Sequence, residues 1–178
     1  MADFGITQMP VQDRKLQVVN IHTDEIRAIV PAGHELAAAA SATAEDIVRF
    51  PLILPKYGAT RARLNEWMDA VEDRMHIAME LDSTEMLKRF VVTGMGIGFV
   101  AETHCREEVA AGLLHAIPLA PEPMVRKLAL VYRKDKALSK AALGFIEVVL
   151  KHAGLSAARA AAVPARAARS GTEWKAEP

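Results

Sequence analysis

Two rhythms of apolar and polar positions alternate along the chain, short β-branched runs and longer stretches with apolar residues at helical spacing. Asp3-Phe4-Gly5-Ile6-Thr7 is too short for a helix and is broken by Gly5, so it reads as a short strand. Leu16 to Ile21 and Glu25 to Pro31 are β-branched runs separated by His22-Thr23-Asp24, which predicts two strands joined by a tight connection. Thr43-Ala44-Glu45-Asp46 has the form of a capping box ahead of a short helix, and Phe50 to Pro55 reads as a buried strand bracketed by prolines.

The next segments repeat this step. Thr60 is placed to cap a helix running to about Glu72, because Leu64, Trp67, Met68 and Val71 recur at helical spacing. Met75 to Leu81 reads as a strand, and Asp82-Ser83-Thr84 as the cap of a helix with Met86, Leu87, Phe90 and Val91 inward, ending near Gly94. Gly96 to Ala101 is the next strand, Thr103 begins a helix to about Ala111, and Leu113 to Leu119 and Val125 to Arg133 are further strands. Ser139 to His152 forms an amphipathic helix with Ala142, Phe145, Ile146, Val149 and Leu150 inward. Such alternation predicts an α/β fold with a mostly parallel sheet. Residues 156–178 are rich in Ala and Arg with no sustained apolar face, and are expected to be a disordered tail.

Composition narrows the function classes. With 178 residues, 51% hydrophobic and 25% charged, the chain has the balance of a soluble globular protein. Its 22 basic residues equal its 22 acidic ones, which argues against a chain whose main work is gripping phosphates of nucleic acid. The single cysteine, Cys105, excludes an intrachain disulfide and any multi-cysteine metal cage. The N-terminus lacks the basic, apolar, small-residue profile of a secretion signal, so a cytoplasmic location is expected. No run is long enough to span a membrane.

Candidate chemistry gathers at two predicted helix starts, Thr60 and Ser83-Thr84, each following a strand. Helix N-termini present unpaired N–H groups and the positive end of a dipole, which suits an anion. Plain capping explains the same residues, and the two roles are compatible. Arg61 and Arg63 flank the first start and could pair with an effector carboxylate, while solvation or pairing with Glu66 on their own helix explains them as well. Tyr57 lies in the loop before it. Gly94-Met95-Gly96-Ile97-Gly98 closes a helix and opens a strand, the reverse of a dinucleotide loop, so a helix stop and close-approach positions near a ligand cleft explain it better. His104 and Cys105 are adjacent on a predicted helix and point about 100° apart, so they cannot share a proton, and Cys105 reads as a buried thiol. Glu66, Asp69 and Asp73 share a helix face that reads as solvated, and the histidines show no metal-ligand spacing. No catalytic constellation, metal site or cofactor is expected, and the chain is not read as an enzyme.

The order of segments resembles a known family. DFGI, IRAIVPAGHELA, FPLILP, TRARLNEW, VVTGMGIGFVAE, AAGLLHAIPL and RKLALVYRKDKALSKAALGFIE, from about residue 3 to 152, resemble the effector-binding region of LysR-type transcriptional regulators. The resemblance implies a type II periplasmic-binding-protein-like fold of two lobes, 14–120 forming the second and 1–13 with 121–155 an incomplete first. A small, anionic effector would lie in the cleft, facing Thr7, Gln8, Tyr57, Thr60, Arg61, Ser83 and Thr84. The family's helix-turn-helix and the opening of the first lobe have no counterpart here, so no direct DNA binding by this chain is expected; a homodimer or higher oligomer is. A stand-alone solute-binding protein of the same fold is the alternative.

Overall fold

The structure, a computed structural model, describes residues 3–154, and the predicted tail lies outside them. Strands are β1 (Phe4–Gln8), β2 (Leu16–Pro31), β3 (Leu52–Pro55), β4 (Ile77–Leu81), β5 (Ile97–Ala101), β6 (Leu114–Pro118) and β7 (Met124–Arg133). Helices are α1 (Ala44–Ile47), α2 (Ala59–Met68), α3 (Thr84–Val92), α4 (Arg106–Ala110) and α5 (Lys140–His152). The chain divides into two compact units, Met1–His22 with Lys127–Pro178, and Thr23–Arg126. Both boundaries fall inside strands, so β2 and β7 each carry the chain from one unit into the other.

In the central unit the sheet is mixed, which corrects the mostly parallel expectation. Parallel pairing joins β3 to β4 on one side and to β5 on the other, with one isolated parallel bridge between Ala42 and Leu119. β2 pairs antiparallel with both β5 and β6. The two runs around His22-Thr23-Asp24 are one continuous strand, not a hairpin. No Gly or Pro interrupts Leu16 to Val30, and the Asp24 carboxylate bonds to distant side chains as well as to the next backbone N–H, so the segment lacks the chemistry of a tight turn.

Period-two alternation sends neighbouring residues to opposite faces. Ala28, Val30, Leu52, Leu54, Ile97 and Phe99 join Leu64, Met68 and Val71 in one buried cluster beneath α2. Ile29, Ile53 and Val100 join Leu87 and Val91 in a second beneath α3. Gly98 is what lets α3 sit so close, since a Cβ there would lie 2.5 Å from Leu87 Cδ2 and 2.8 Å from Val91 Cγ2. Gly96 would place its Cβ 2.5 Å from the Pro51 carbonyl oxygen.

The predicted Thr43 capping box is present, Thr43 Oγ1 accepting from Asp46 N and Asp46 accepting from Thr43 N. Two helix limits differ from expectation. The α-helix after β3 stops at Met68 and tightens to a 3-10 turn, Asp69–Arg74, while Thr103 falls inside another such turn, Glu102–His104, before the short α4.

The other unit pairs β1 antiparallel with β7, from Phe4 opposite Tyr132 to Gln8 opposite Leu128. Ser139 caps α5 by accepting from Ala142 N at 3.1 Å. Ala142, Ile146 and Leu150, four residues apart, form the buried stripe of α5. Phe145 is a correction: it is 47% exposed, covering only one ring face by stacking on Phe4 at 4.8 Å.

Candidate functional site

Because β3, β4 and β5 run in parallel, the loops that leave them open on one edge of the central unit. That edge carries Lys56 to Gly58, Asp82-Ser83 and the turn Glu102–His104. Strand β2 enters at the same edge, Ile26 standing opposite Ala101, so Asp24 lies beside the turn after β5.

The two helix starts are built differently. α3 is capped as expected, with Ser83 Oγ accepting from Met86 N at 3.3 Å and Thr84 exposed as the first helical residue. α2 corrects the expectation for Thr60. Its N-cap is Gly58, in a backbone conformation with φ 100° and ψ 176°, and no side chain caps the first turn. Only glycine enters that region freely, so the chain turns into the helix two residues earlier and Thr60 becomes the second helical residue, half-buried. Tyr57, 70% exposed, stands just before it.

Arg61 is held inward. Its guanidinium donates to Asn65 Oδ1 at 2.8 Å, to the Pro55 carbonyl at 3.0 Å and to Glu80, so its partners are on β3, β4 and its own helix, and Glu66 is not among them. Arg63 donates to the Val125 carbonyl. Thr7 and Gln8 belong to the other unit, on β1, with Thr7 exposed and Gln8 half-buried.

A polar cluster on this edge escaped the sequence reading. The Asp24 carboxylate, its side chain 3% exposed, accepts from Thr103 Oγ1, from Glu25 N at 2.9 Å and from Arg126 at 3.3 Å. Burial alone would raise its pKa, but those donors and the Arg126 charge outweigh burial and hold it below the ordinary aspartate value. Arg126 also lies 3.3 Å from His104 Nε2. Burial first, and then Arg126, depress the His104 pKa. The His104 carbonyl accepts from Lys88 Nζ of α3 at 2.8 Å, and Lys88, its side chain 8% exposed, also pairs with Glu108 at 2.7 Å and Glu85 at 3.1 Å. Burial opposes its charge, yet the two carboxylates raise its pKa overall. No spacing in the sequence joins positions 24, 88, 103 and 126; only their place among apolar runs hinted at burial.

Other candidates settle as structural. Cys105 is a buried thiol whose pKa burial pushes up. Gly94, at φ 79°, ends the turn after α3 by donating to Val91 O. Gly96 precedes β5, at the end opposite the helix starts, so it and Gly98 are close-packing positions within the unit and not positions beside the candidate site. Among the described residues no group of three or more His, Cys, Asp or Glu side chains could hold a metal ion, and no helix is long and apolar enough to cross a membrane.

The family model for the LysR substrate binding domain matches residues 1–154. The chain belongs to this family. It is similar to a probable RuBisCO transcriptional regulator of Synechocystis, 31% identical over 139 residues, covering 76% of this chain and 40% of that protein. It is also similar to the HTH-type transcriptional regulator CbbR of Sinorhizobium medicae, 27% identical, covering 83% of this chain and 48% of the relative. The chain thus spans less than half the length of these two relatives. Among solved structures, the regulatory domain of Synechocystis CcmR in complex with 2-PG superposes with a TM-score of 0.74 at 20% identity, covering 85% of this chain and 73% of that one. HinK, a LysR family regulator of Pseudomonas aeruginosa, gives 0.71 at 22% identity over 85% of this chain and 52% of its own. The fold of this LysR-family domain is accordingly the type II periplasmic-binding-protein-like one, in agreement with the resemblance read from the sequence.

Proposed function

We propose that this domain is the sensing part of a LysR-type transcriptional regulator, and that it reads a small anionic metabolite without transforming it. The observation that carries the proposal is the pair of helix starts on one sheet edge, the first of them with no side-chain cap. The first-turn N–H groups of an α-helix have no partner within the helix and sit at the positive end of its dipole, so two such ends opening on one edge suit a carboxylate or phosphate. Thr60, Ser83 and Thr84 add hydroxyls there, and Tyr57 an exposed ring. Arg61 is engaged by Glu80 and Asn65, so the backbone donors carry more of this reading than Arg61 does.

The relatives narrow the ligand class. One is named for RuBisCO regulation and a structural neighbour holds 2-PG, which favours a small acidic metabolite of carbon assimilation. In this reading the regulator is cytoplasmic and works as a homodimer or higher oligomer, DNA is contacted by residues outside this domain, and the domain catalyses no reaction.

A melting-temperature panel of inorganic phosphate, 2-PG and simple dicarboxylates tests this. Binding to the native state alone stabilises by RT ln(1 + [L]/Kd), about 2.7 kcal/mol at a hundredfold excess over Kd. At least one anion should raise the melting temperature, and Thr60→Val with Ser83→Ala should remove the rise. A double variant that responds like the parent, or a panel with no response, overturns the proposal.

A further inference from the structure

The polar cluster beside the helix starts joins β2, β7, α3 and the turn after β5, and among these α3 and β7 contribute to different hydrophobic clusters. Asp24 lies on β2 and Arg126 on β7, the two strands in which the unit boundaries fall. Both engage the turn after β5, Asp24 through the Thr103 hydroxyl and Arg126 through His104 Nε2. The same turn, through the His104 carbonyl, holds Lys88, which sits one turn into α3 from the Ser83 cap. Hydrogen bonds therefore tie Lys88 of α3 to the His104 carbonyl, and Thr103, the covalent neighbour of His104, to Asp24 and through it to Arg126. Its charged members are well buried: the side chains of Asp24, Lys88 and Arg126 are 3%, 8% and 12% exposed. In such surroundings a bond to a charged group is strong and directional.

We infer that Asp24 and Arg126 are positioning residues for effector binding, acting through the Thr103-His104 turn and Lys88 to fix the α3 start without touching the effector themselves. This rests on the proposed site at that helix start. The same links make effector capture felt at β2 and β7, since coupling between two points is reciprocal. Thr103 supplies the cleanest interruption, because Val replaces its hydroxyl with a methyl group of nearly the same volume. Asp24→Asn keeps an acceptor for Thr103 but removes the charge facing Arg126.

The test uses the full chain and two readouts. The first is amide exchange at Leu87, whose N–H bonds Ser83 O at 3.0 Å, against the reference amide of Leu52, which bonds His76 O at 2.8 Å. Thr103→Val and Asp24→Asn should each speed exchange at Leu87 by about tenfold relative to Leu52, a local loosening of α3. In a Lys88→Met background Thr103→Val should have no further effect, since the link is already cut. The second readout is affinity for 2-PG and inorganic phosphate, which should fall about fivefold in both single variants, at the low end of measured coupling factors. Equal acceleration at Leu87 and Leu52, or none, overturns the inference, because a merely structural loss of stability moves both amides together. If the parent binds neither probe the proposed function is what fails, and the exchange ratio still decides the link. Should Asp24→Asn not fold, Thr103→Val decides alone.

Discussion

α2 and α3 begin on the same edge of the same sheet, one strand apart in the sequence, and they are closed by different chemistry. α3 has a serine cap, a buried apolar stripe and a lysine anchored from below by the turn after β5. α2 starts from a glycine in a conformation closed to other residues, with no side-chain cap, and its first arginine is turned back onto β3 and β4. A hydroxyl cap satisfies part of the donor set of a helix start; an uncapped start leaves more of it to whatever approaches from outside. In the proposed anion site, α3 is the fixed wall and α2 the more open receptor.

The largest expected effect comes from unseating the wall. Gly98→Val puts side-chain atoms where Leu87 and Val91 already are, and overpacking of this kind should cost about 3 kcal/mol, read as a lower urea midpoint. Amide protection under α2, at Leu52 and Leu54, should outlast that of α3 in the same variant. Next is the receptor. Gly58→Ala forces a Cβ into a region only glycine adopts freely, although open space surrounds it, and should destabilise by about 2 kcal/mol through backbone strain alone. It should also weaken anion binding more than its stability loss implies, because the first-turn donors of α2 are re-aimed. The smallest effect belongs to Ser83→Ala, about 1 kcal/mol for the lost cap, measured in the same urea series. If Gly58→Ala and Ser83→Ala perturb anion binding equally, the contrast between the two starts is wrong.

Much of this was readable in the sequence. Strands with alternating or continuous apolar runs were recognisable, and so were the two caps whose residues sit next to the helix they close, Thr43 and Ser83. The differences have separate physical causes. The entry into α2 depends on Gly58 taking φ 100°, and a Thr two residues later carries the stronger local capping signal. His22-Thr23-Asp24 looked like a turn because Asp and Thr favour turns locally, yet Thr103 and Arg126, far along the chain, hold the Asp24 side chain in an extended strand. The inward placement of Phe145 failed on geometry: the stripe of Ala142, Ile146 and Leu150 leaves it at the margin, stacked on Phe4. The direction of the strands had no local signal either, since pairing of β2 with β5 and β6 is a tertiary choice.

In the proposed function the two helix starts on this edge form one anion receptor. Its most direct test is an amide chemical-shift titration of the full chain with 2-PG, with inorganic phosphate as a parallel probe. Saturable shifts are expected, largest at Ala59, Thr60 and Arg61 of α2 and at Thr84 and Glu85 of α3, with a single apparent Kd for both sets. Saturable shifts confined to other residues, or separate Kd values at the two helix starts, would contradict the proposal.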